Sequence, residues 1–258
     1  MNKQPVVWLI AGTSDGRKLI KALQGQDIQL FVSVATDYGA ELVEKQNNMH
    51  VLVGRMDEQA MLEFIEEQQP CVVVDATHPY AVVVTDTIKA ACHEQKVPYL
   101  RLLRDGGDLS DTITVASFQE AAEFLATTEG NIFLTTGSKT LNIFTKIPHF
   151  AKRITLRILP LLDSLQMAYA FGYEKSHIIC MQGPFSEELN VAMFKQVNAK
   201  YVVTKDSGSV GGYDAKKQAA AQAGAQLVVI AREREEQGEK QQDILQDILK
   251  KIEEARRC

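Results

Sequence analysis

The residues that are best suited to bind a ligand or take part in catalysis follow a short apolar run that ends near position 75. The run Cys71–Val74 is rich in β-branched residues, which is typical of a strand buried on both faces of a parallel sheet. Polar and aromatic groups follow it: Asp75, Thr77, His78, Pro79 and Tyr80. Ligands of open α/β sheets bind at the carboxyl ends of the strands. A helix cap would explain Asp75 or Thr77 alone, but not the whole pattern, which therefore favours a functional site. Pro79 is expected in the first turn of the next helix, where its missing N–H costs nothing.

A glycine-containing loop follows the first predicted strand, Val6–Ala11. It contains Gly12, Thr13, Ser14, Gly16 and Arg17, and a helical pattern begins at Lys18. Glycine lets the backbone approach a phosphate closely, and the N–H groups of a helix N-terminus bind the anion. Further glycines of the full dinucleotide fingerprint are replaced by Ala11 and Ser14. The loop therefore predicts a phosphate site, with simple helix packing as the alternative.

The loops after the second and third predicted strands add polar residues: Ser33, Thr36, Asp37, Gly54 and Arg55. In NAD sites, a carboxylate about 20 residues beyond the glycine loop accepts the ribose hydroxyls. Counting from Gly16 reaches Thr36, and Asp37 is next. Arg55 is expected beside the nucleotide, while Asp57 fits a helix N-cap. A turn aspartate and a surface arginine are the respective alternatives.

Cations mark the predicted strand ends of the second half of the chain. Lys139, Arg157 and Lys205 fall there, and Asp206 and Ser207 follow Lys205 directly. Arginine binds carboxylates through two parallel hydrogen bonds, and lysine acts as a point charge. The set predicts an anionic substrate.

Apolar runs alternate with amphipathic helical patterns, which is typical of βαβ units and parallel sheets. The predicted strands are Val6–Ala11, Ile28–Val34, His50–Val53, Cys71–Asp75, Pro98–Leu103, Ile132–Thr136, Ile154–Ile158, His177–Met181, Tyr201–Lys205 and Leu227–Ile230. A linker-like segment, Arg104–Asp108, separates the two sets of five. We therefore expect an α/β protein with two Rossmann-like domains, 1–110 for the dinucleotide and 111–258 for the substrate, and an active-site cleft between them.

The two halves of the chain echo each other weakly. Leu9–Ser14 resembles Phe133–Ser138, and Asp75–Thr77 resembles Thr204–Gly208. Near the end, a charged run at 232–236 precedes a helix with one apolar stripe. We expect that helix to pack against its own domain rather than against a second copy of the chain.

Composition excludes several classes of function. The formal net charge of -5 lacks the basic excess of a general nucleic-acid binder. No stretch approaches the roughly 20 apolar residues of a membrane span, and no signal-peptide pattern opens the chain. The 4 cysteines and 5 histidines show no metal-binding spacing, so we expect no protein-bound metal. Cytoplasm is the default location; the oligomeric state, monomer or homodimer, stays open.

Taken in order, these motifs resemble the precorrin-6A and cobalt-precorrin-6A reductases of corrin biosynthesis. The resemblance covers nearly the whole chain, and its most specific strings are Asp75–Ala81 and Gly183–Asn190. It implies a two-domain enzyme of cobalamin biosynthesis that uses a reduced nicotinamide cofactor and no flavin. The implied reaction adds a hydride to a double bond of an anionic tetrapyrrole.

The resemblance also implies residue roles. Gly12, Thr13, Ser14 and Arg17 would hold the pyrophosphate, and Ser33, Thr36, Asp37, Gly54 and Arg55 would surround the adenosine end. Asp75, Thr77, His78, Pro79 and Tyr80 would shape the nicotinamide pocket, while Lys139, Arg157, Lys205, Asp206 and Ser207 would face the substrate. The candidate catalytic residues are His78, Lys205, Asp206 and Ser207.

NADPH-using members carry an arginine after the second strand, whereas this chain has Thr36-Asp37-Tyr38 there. The difference favours NADH over NADPH and the cobalt-containing pathway. Two other functions stay open: a dinucleotide-binding sensor without chemistry, and a small-molecule dehydrogenase. The dehydrogenase would need a clear acid/base residue, and His78 is the candidate that the sequence offers.

Overall fold

The computed structural model describes residues 4–103, 106–208, 211–232 and 237–257, and the chain divides into two compact units. The first unit comprises 1–104 together with 235–258, and the second comprises 105–234. Each unit is built on its own parallel sheet, so the predicted α/β class with two parallel sheets is confirmed. Two residues of the predicted linker, Arg104 and Asp105, lie outside the described residues.

The strands of the first sheet are β1 (Val6–Ile10), β2 (Gln29–Val34), β3 (Met49–Val53), β4 (Val72–Asp75) and β5 (Tyr99–Arg101), in the order β3-β2-β1-β4-β5. The strands of the second sheet are β6 (Ile113–Val115), β7 (Asn131–Leu134), β8 (Ile154–Ile158), β9 (Ile178–Cys180), β10 (Ala199–Lys205) and β11 (Gln226–Ile230), in the order β6-β11-β10-β7-β8-β9. The helices are α1 (Ser14–Ala22), α2 (Asp37–Glu41), α3 (Glu58–Gln68), α4 (Val82–Glu94), α5 (Phe118–Ala126), α6 (Leu141–Phe144), α7 (Phe150–Arg153), α8 (Leu162–Ala170), α9 (Glu187–Gln196), α10 (Tyr213–Gln222) and α11 (Gln241–Arg257).

Strand periodicity divides the first unit into layers. Successive side chains of a strand point to opposite faces, and every residue of β1 is buried. Val7 and Leu9 pack in a cluster with residues of α1 and α11, whereas Trp8 and Ile10 pack with residues of α3 and α4. The sheet is therefore covered on both faces, as parallel sheets require.

The C-terminal helix α11 lies in a different unit from the one that the sequence predicted. Ile244, Ile248 and Ile252 are buried against the core of the first sheet, so the assignment of this segment to a second domain ending at 258 was wrong. An apolar stripe on a helix specifies burial but not the sheet that it covers. The preceding charged residues 233–236 lie outside the described part of the chain.

The described residues also add a sixth strand, β6, to the second sheet, which was expected to have about five. β6 is a three-residue edge strand that pairs with β11, and so short a run carries no detectable periodicity. Pro79 also differs from the sequence-based prediction, which put it in the first turn of a helix. It lies in the His78–Ala81 turn, where the Ala81 N–H donates to the His78 carbonyl (2.8 Å), and α4 begins only at Val82.

Each sheet has one point at which the chain connections diverge. In the first sheet β1 and β4 are neighbours, with β2 and β3 on one side and β5 on the other. In the second sheet β7 and β10 are neighbours, with β8 and β9 on one side and β11 and β6 on the other. Such switch points open a crevice at the carboxyl ends of the strands. The echoing motifs of the two halves occupy these two positions.

Candidate functional site

The loop after β1 has the backbone form of an anion site. Gly12 adopts φ +129°, and a Cβ built on it would meet no atom within 4 Å, so space lies open above the loop. Thr13 caps α1, since its Oγ1 accepts from the Gly16 N–H (3.1 Å). A Cβ on Gly16 would lie 3.4 Å from the Cβ atoms of Ala11 and Ala76, so this glycine allows the helix to approach both strands. The open glycine and the capped helix fit a pyrophosphate.

Thr13 joins the two loops of the first switch point. Its hydroxyl donates to the carbonyl of Ala76 at 2.8 Å, which ties the glycine loop to the loop after β4. Ser14 and Arg17, in the first turn of α1, line a surface cavity of about 290 Å³ together with Lys18, Ile20, Lys21, Leu42, Glu44 and Gln46. Three of these residues are cations and one, Glu44, is acidic, so the lining carries a net positive charge beside the helix N-terminus, which itself favours anions.

The residues expected at the adenosine end divide into two groups. Ser33 and Thr36 already have structural partners: Ser33 Oγ accepts from Trp8 Nε1 (2.8 Å), and Thr36 Oγ1 caps α2 through the Gly39 N–H (3.1 Å). Asp37 and Arg55 are exposed at the ends of their loops. Gly54 has φ +126° with open space at its Cβ position. The predicted N-cap role of Asp57 is confirmed, because its Oδ1 accepts from the Ala60 N–H at 2.9 Å.

Asp75 is fully buried at the end of β4 and is held by three donors. Its Oδ1 accepts from the Thr77 N–H (2.9 Å) and from Arg101 Nη1 (2.8 Å), while its Oδ2 accepts from the Tyr99 hydroxyl (3.0 Å). Burial, followed by the nearby Asp75 charge, raises the pKa of Tyr99 far above its usual range, so the phenol stays a donor. The carboxylate therefore organises the loop from within.

The turn after Asp75 presents the aromatic residues of the motif. His78 and Tyr80 are half-buried, with ring centroids 5.5 Å apart, and the Tyr80 N–H donates to His78 Nδ1 (3.3 Å). Pro79 is buried between them. The imidazole and the phenol thus lie at the first switch point, one turn beyond the buried carboxylate.

The second unit gathers cations at its own switch point. Arg157, at the carboxyl end of β8, is buried; its Nη1 donates to Asn190 Oδ1 (2.7 Å), and its guanidinium lies 3.8 Å from the ring centroid of Phe185. Lys205, at the end of β10, has its ammonium 5.2 Å from the ring centroid of Phe118. Burial lowers the pKa of Lys205, and the charge of Lys139 lowers it further.

Lys216 completes this cationic cluster, which we define as Lys139, Arg157, Lys205 and Lys216. It lies on α10 and is buried, and its Nζ donates to the Gly211 carbonyl (3.1 Å). Burial lowers its pKa to about 8, and the charges of Arg157 and Lys205 act in the same direction. In the described part of the chain, neither Arg157 nor Lys216 forms an ion pair with a carboxylate. Buried charges are costly unless they are paired, so Arg157 and Lys216 suit a ligand with several negative charges.

Asp206 and Ser207 support the loop beside the cluster. The Asp206 carboxylate accepts from the Gly107 N–H (2.8 Å) and pairs with Arg232 Nε (3.2 Å). Ser207 Oγ donates to the Gly211 carbonyl at 3.3 Å. On the other side of the switch point, Thr135 donates its N–H to the Val203 carbonyl (3.0 Å), which joins the loops after β7 and β10.

Comparison with known proteins identifies the family. The family model described as precorrin-6x reductase CbiJ/CobK matches residues 6–252. The chain belongs to the precorrin-6x reductase family. It is 36% identical over 237 residues to the cobalt-precorrin-6A reductase of Priestia megaterium, covering 90% of this chain and 92% of the relative. The precorrin-6A reductase of Mycobacterium tuberculosis is 27% identical over 233 residues, covering 88% of each chain.

A solved structure supports the fold of this reductase family member. The structure titled CobK precorrin-6A reductase superimposes with a TM-score of 0.74 at 18% identity, and the match covers 96% of this chain and 97% of that one. The agreement spans both parallel sheets. The two-unit α/β architecture is thus shared with a known reductase fold.

Four residues of these sites escaped the sequence reasoning: Tyr99, Arg101, Lys216 and Arg232. Arg101 pairs in register with Asp75 on the neighbouring strand, so knowing the strand order would have placed it beside the carboxylate. Lys216 sits on a helix among alanines and other polar residues, and its burial leaves no mark in the sequence. The roles expected for the other site residues stay predictions.

Proposed function

We propose that this protein reduces cobalt-precorrin-6A to cobalt-precorrin-6B in cobalamin biosynthesis, using NADH. The observation that carries the proposal is the family match over residues 6–252, together with relatives of 31–36% identity that are named cobalt-precorrin-6A reductases. The relative from Mycobacterium tuberculosis, named precorrin-6A reductase without cobalt in its name, is less similar, at 27%. This difference supports the cobalt-containing substrate.

We assign the cofactor to the first unit. The open Gly12 loop and the α1 N-terminus would bind the pyrophosphate, and the turn containing His78 and Tyr80 would shape the nicotinamide pocket. When bound, the reduced nicotinamide supplies the hydride that is added to the macrocycle. His78 is our candidate for the group that delivers the accompanying proton, because it lies half-buried at the same switch point.

We assign the tetrapyrrole to the second unit. Its carboxylates would pair with the cationic cluster, of which Arg157 and Lys216 are buried. A hydrogen bond is electrostatically stronger in such a low-dielectric environment than in water. Asp206 and Ser207 would hold the loop that carries Lys205, since both already bond to backbone groups of their own unit.

Asp37 is the residue that we propose to select NADH. It is exposed directly after β2, where a carboxylate accepts ribose hydroxyls and repels a 2′-phosphate. Dissociation constants measured at fixed salt should be lower for NADH than for NADPH. Asp37→Asn should narrow that difference, whereas Glu41→Gln, at the other end of α2, should leave it unchanged. Equal or tighter binding of NADPH by the unmodified protein would refute the assignment.

An anaerobic assay tests the reaction itself. Loss of reduced nicotinamide absorbance should require cobalt-precorrin-6A, and the mass of the product should rise by one hydride and one proton. Metal-free precorrin-6A, assayed in parallel, tests the preference for cobalt. Binding of NADH without turnover would favour the dinucleotide-binding sensor. Oxidation of NADH coupled to reduction of a small ketone would favour the small-molecule dehydrogenase.

A further inference from the structure

The Asp75–Thr77 segment is anchored from two directions. Arg101 Nη1 alone makes four contacts, with Asp75 Oδ1 (2.8 Å), Asp75 O (3.3 Å), Thr77 Oγ1 (3.0 Å) and Thr77 O (3.2 Å). On the opposite flank, the Thr13 hydroxyl bonds the carbonyl of Ala76. Thr77 Oγ1 also lies 3.2 Å from Thr85 Oγ1 of α4, so both ends of the turn leading to His78 are tied to regular elements.

Stability alone does not account for this arrangement. Arg101 is 4% exposed and Asp75 is 0% exposed, so both charges are removed from water. Replacing a buried ion pair by apolar residues is often neutral or stabilising, because the desolvation cost is large. What the pair contributes here is one defined loop conformation, since one guanidinium nitrogen contacts both residues that flank Ala76.

We propose that Tyr99 and Arg101 are positioning residues for the nicotinamide end of the cofactor. They act through Asp75 and Thr77, and set the position of the turn that carries His78 and Tyr80. The proposal rests on the proposed cofactor site of the first unit. Neither residue belongs to the glycine loop, so their loss should disturb orientation of the nicotinamide more than binding of the dinucleotide.

Tyr99→Phe gives the cleanest test, because it removes one hydroxyl and keeps the half-buried ring. We expect kcat to fall about ten- to hundredfold, as for a reacting group displaced by about 1 Å. The dissociation constant of NADH should change little. Bound NADH should also lose emission intensity and anisotropy relative to the unmodified protein, because the nicotinamide ring would be less restrained.

Ile252→Val is the matched control. It trims a buried side chain of α11 on the other face of the same sheet. Arg256 of the same helix donates to the carbonyl of Asp27, which precedes β2, so this part of α11 lies away from the carboxyl ends of the strands. The urea midpoint of Ile252→Val is compared with that of Tyr99→Phe, so that a general loss of stability is recognised. If Tyr99→Phe behaves like this control in kcat and in NADH emission, the proposal is wrong. Parallel losses of NADH affinity and kcat would also overturn it.

Arg101 offers a graded series. Since Nη1 makes all four contacts, Arg101→Lys can restore part of them with one ammonium, whereas Arg101→Met leaves Asp75 buried without its cation. We expect kcat to be highest with arginine at position 101, lower with lysine and lowest with methionine. If the methionine variant does not fold, the comparison of Tyr99→Phe with its control tests the proposal by itself. If the unmodified protein binds NADH but reduces no tetrapyrrole, the proposed function is refuted. The emission of bound NADH in the unmodified protein and in Tyr99→Phe would still test whether Tyr99 positions the nicotinamide.

Discussion

At the scale of single residues, Lys205 is the cation whose position best separates substrate binding from cofactor binding. It ends β10 in the second unit, whereas the glycine loop belongs to the first. Replacing it by methionine should lower kcat/KM about ten- to hundredfold, because a charged hydrogen bond contributes about 1.5–3 kcal/mol. The dissociation constant of NADH should stay nearly constant.

Lys200→Met is the natural control for this prediction, since Lys200 is an exposed lysine on the same strand. It should leave kcat/KM unchanged. A Lys205→Met variant that loses NADH affinity but keeps its turnover at saturating NADH would place Lys205 in the nucleotide site instead.

The buried charge of Lys216 is expected to lower the stability of the fold while it favours binding of the anionic substrate. Its pKa is lowered from 10.5 to about 8, so between these values the unfolded chain binds more protons and stability rises with pH. Below pH 8 both states carry the charge, and the full penalty remains, on the order of 3 kcal/mol. Lys216→Met should therefore raise the urea midpoint of the ligand-free protein at pH 7, and this gain should shrink toward pH 10.

The same variant should bind the tetrapyrrole more weakly, because the cationic cluster loses one charge. Lys200→Met, tested alongside, should show neither effect. A Lys216→Met protein that is less stable than the unmodified chain at pH 7 would mean that the lysine's hydrogen bond and packing outweigh the cost of burying its charge.

At the scale of elements, the β1–α1 turn determines whether a phosphate can approach. Gly12 and Gly25 both have positive φ, +129° and +81°, and both have open space at the Cβ position. Valine at either position strains the backbone, by about 1–2 kcal/mol. Only at Gly12 would it also occupy the space above the glycine loop.

Gly12→Val should therefore abolish NADH binding, measured by titration calorimetry, while Gly25→Val should retain it. Circular dichroism should show that both variants keep their helices and strands. Normal NADH affinity in Gly12→Val would mean that the glycine serves the turn alone.

At the scale of the whole molecule, the chain end completes the first unit. Ile248 is fully buried in the core beneath the first sheet. Ile248→Ala should destabilise that unit by about 2–5 kcal/mol. Hydrogen exchange should then quicken in peptides from 4–103 more than in peptides from 106–208. Faster exchange confined to the second unit would contradict this packing.

Much of the architecture could be predicted from local patterns. Apolar β-branched runs identified ten of the strands, and the polar residues at their ends marked both switch points, since periodicity and turn chemistry depend on neighbours in sequence. The strings Asp75–Ala81 and Gly183–Asn190 already indicated the reductase family, which the family model confirms.

Tertiary structure alone decided the contacts between distant segments. The pairing of Asp75 with Arg101 depends on strand order, which no local pattern encodes. The burial of Lys216 beside other cations depends on which face of α10 meets the sheet. The stripe of α11 could cover any complementary apolar surface, and only the packing of the complete chain directs it to the first sheet. Local sequence determined the helices, the strands and the loops that carry the candidate site residues. The burial of charged groups and the identity of their partners required the assembled fold, because both depend on residues far apart in the chain.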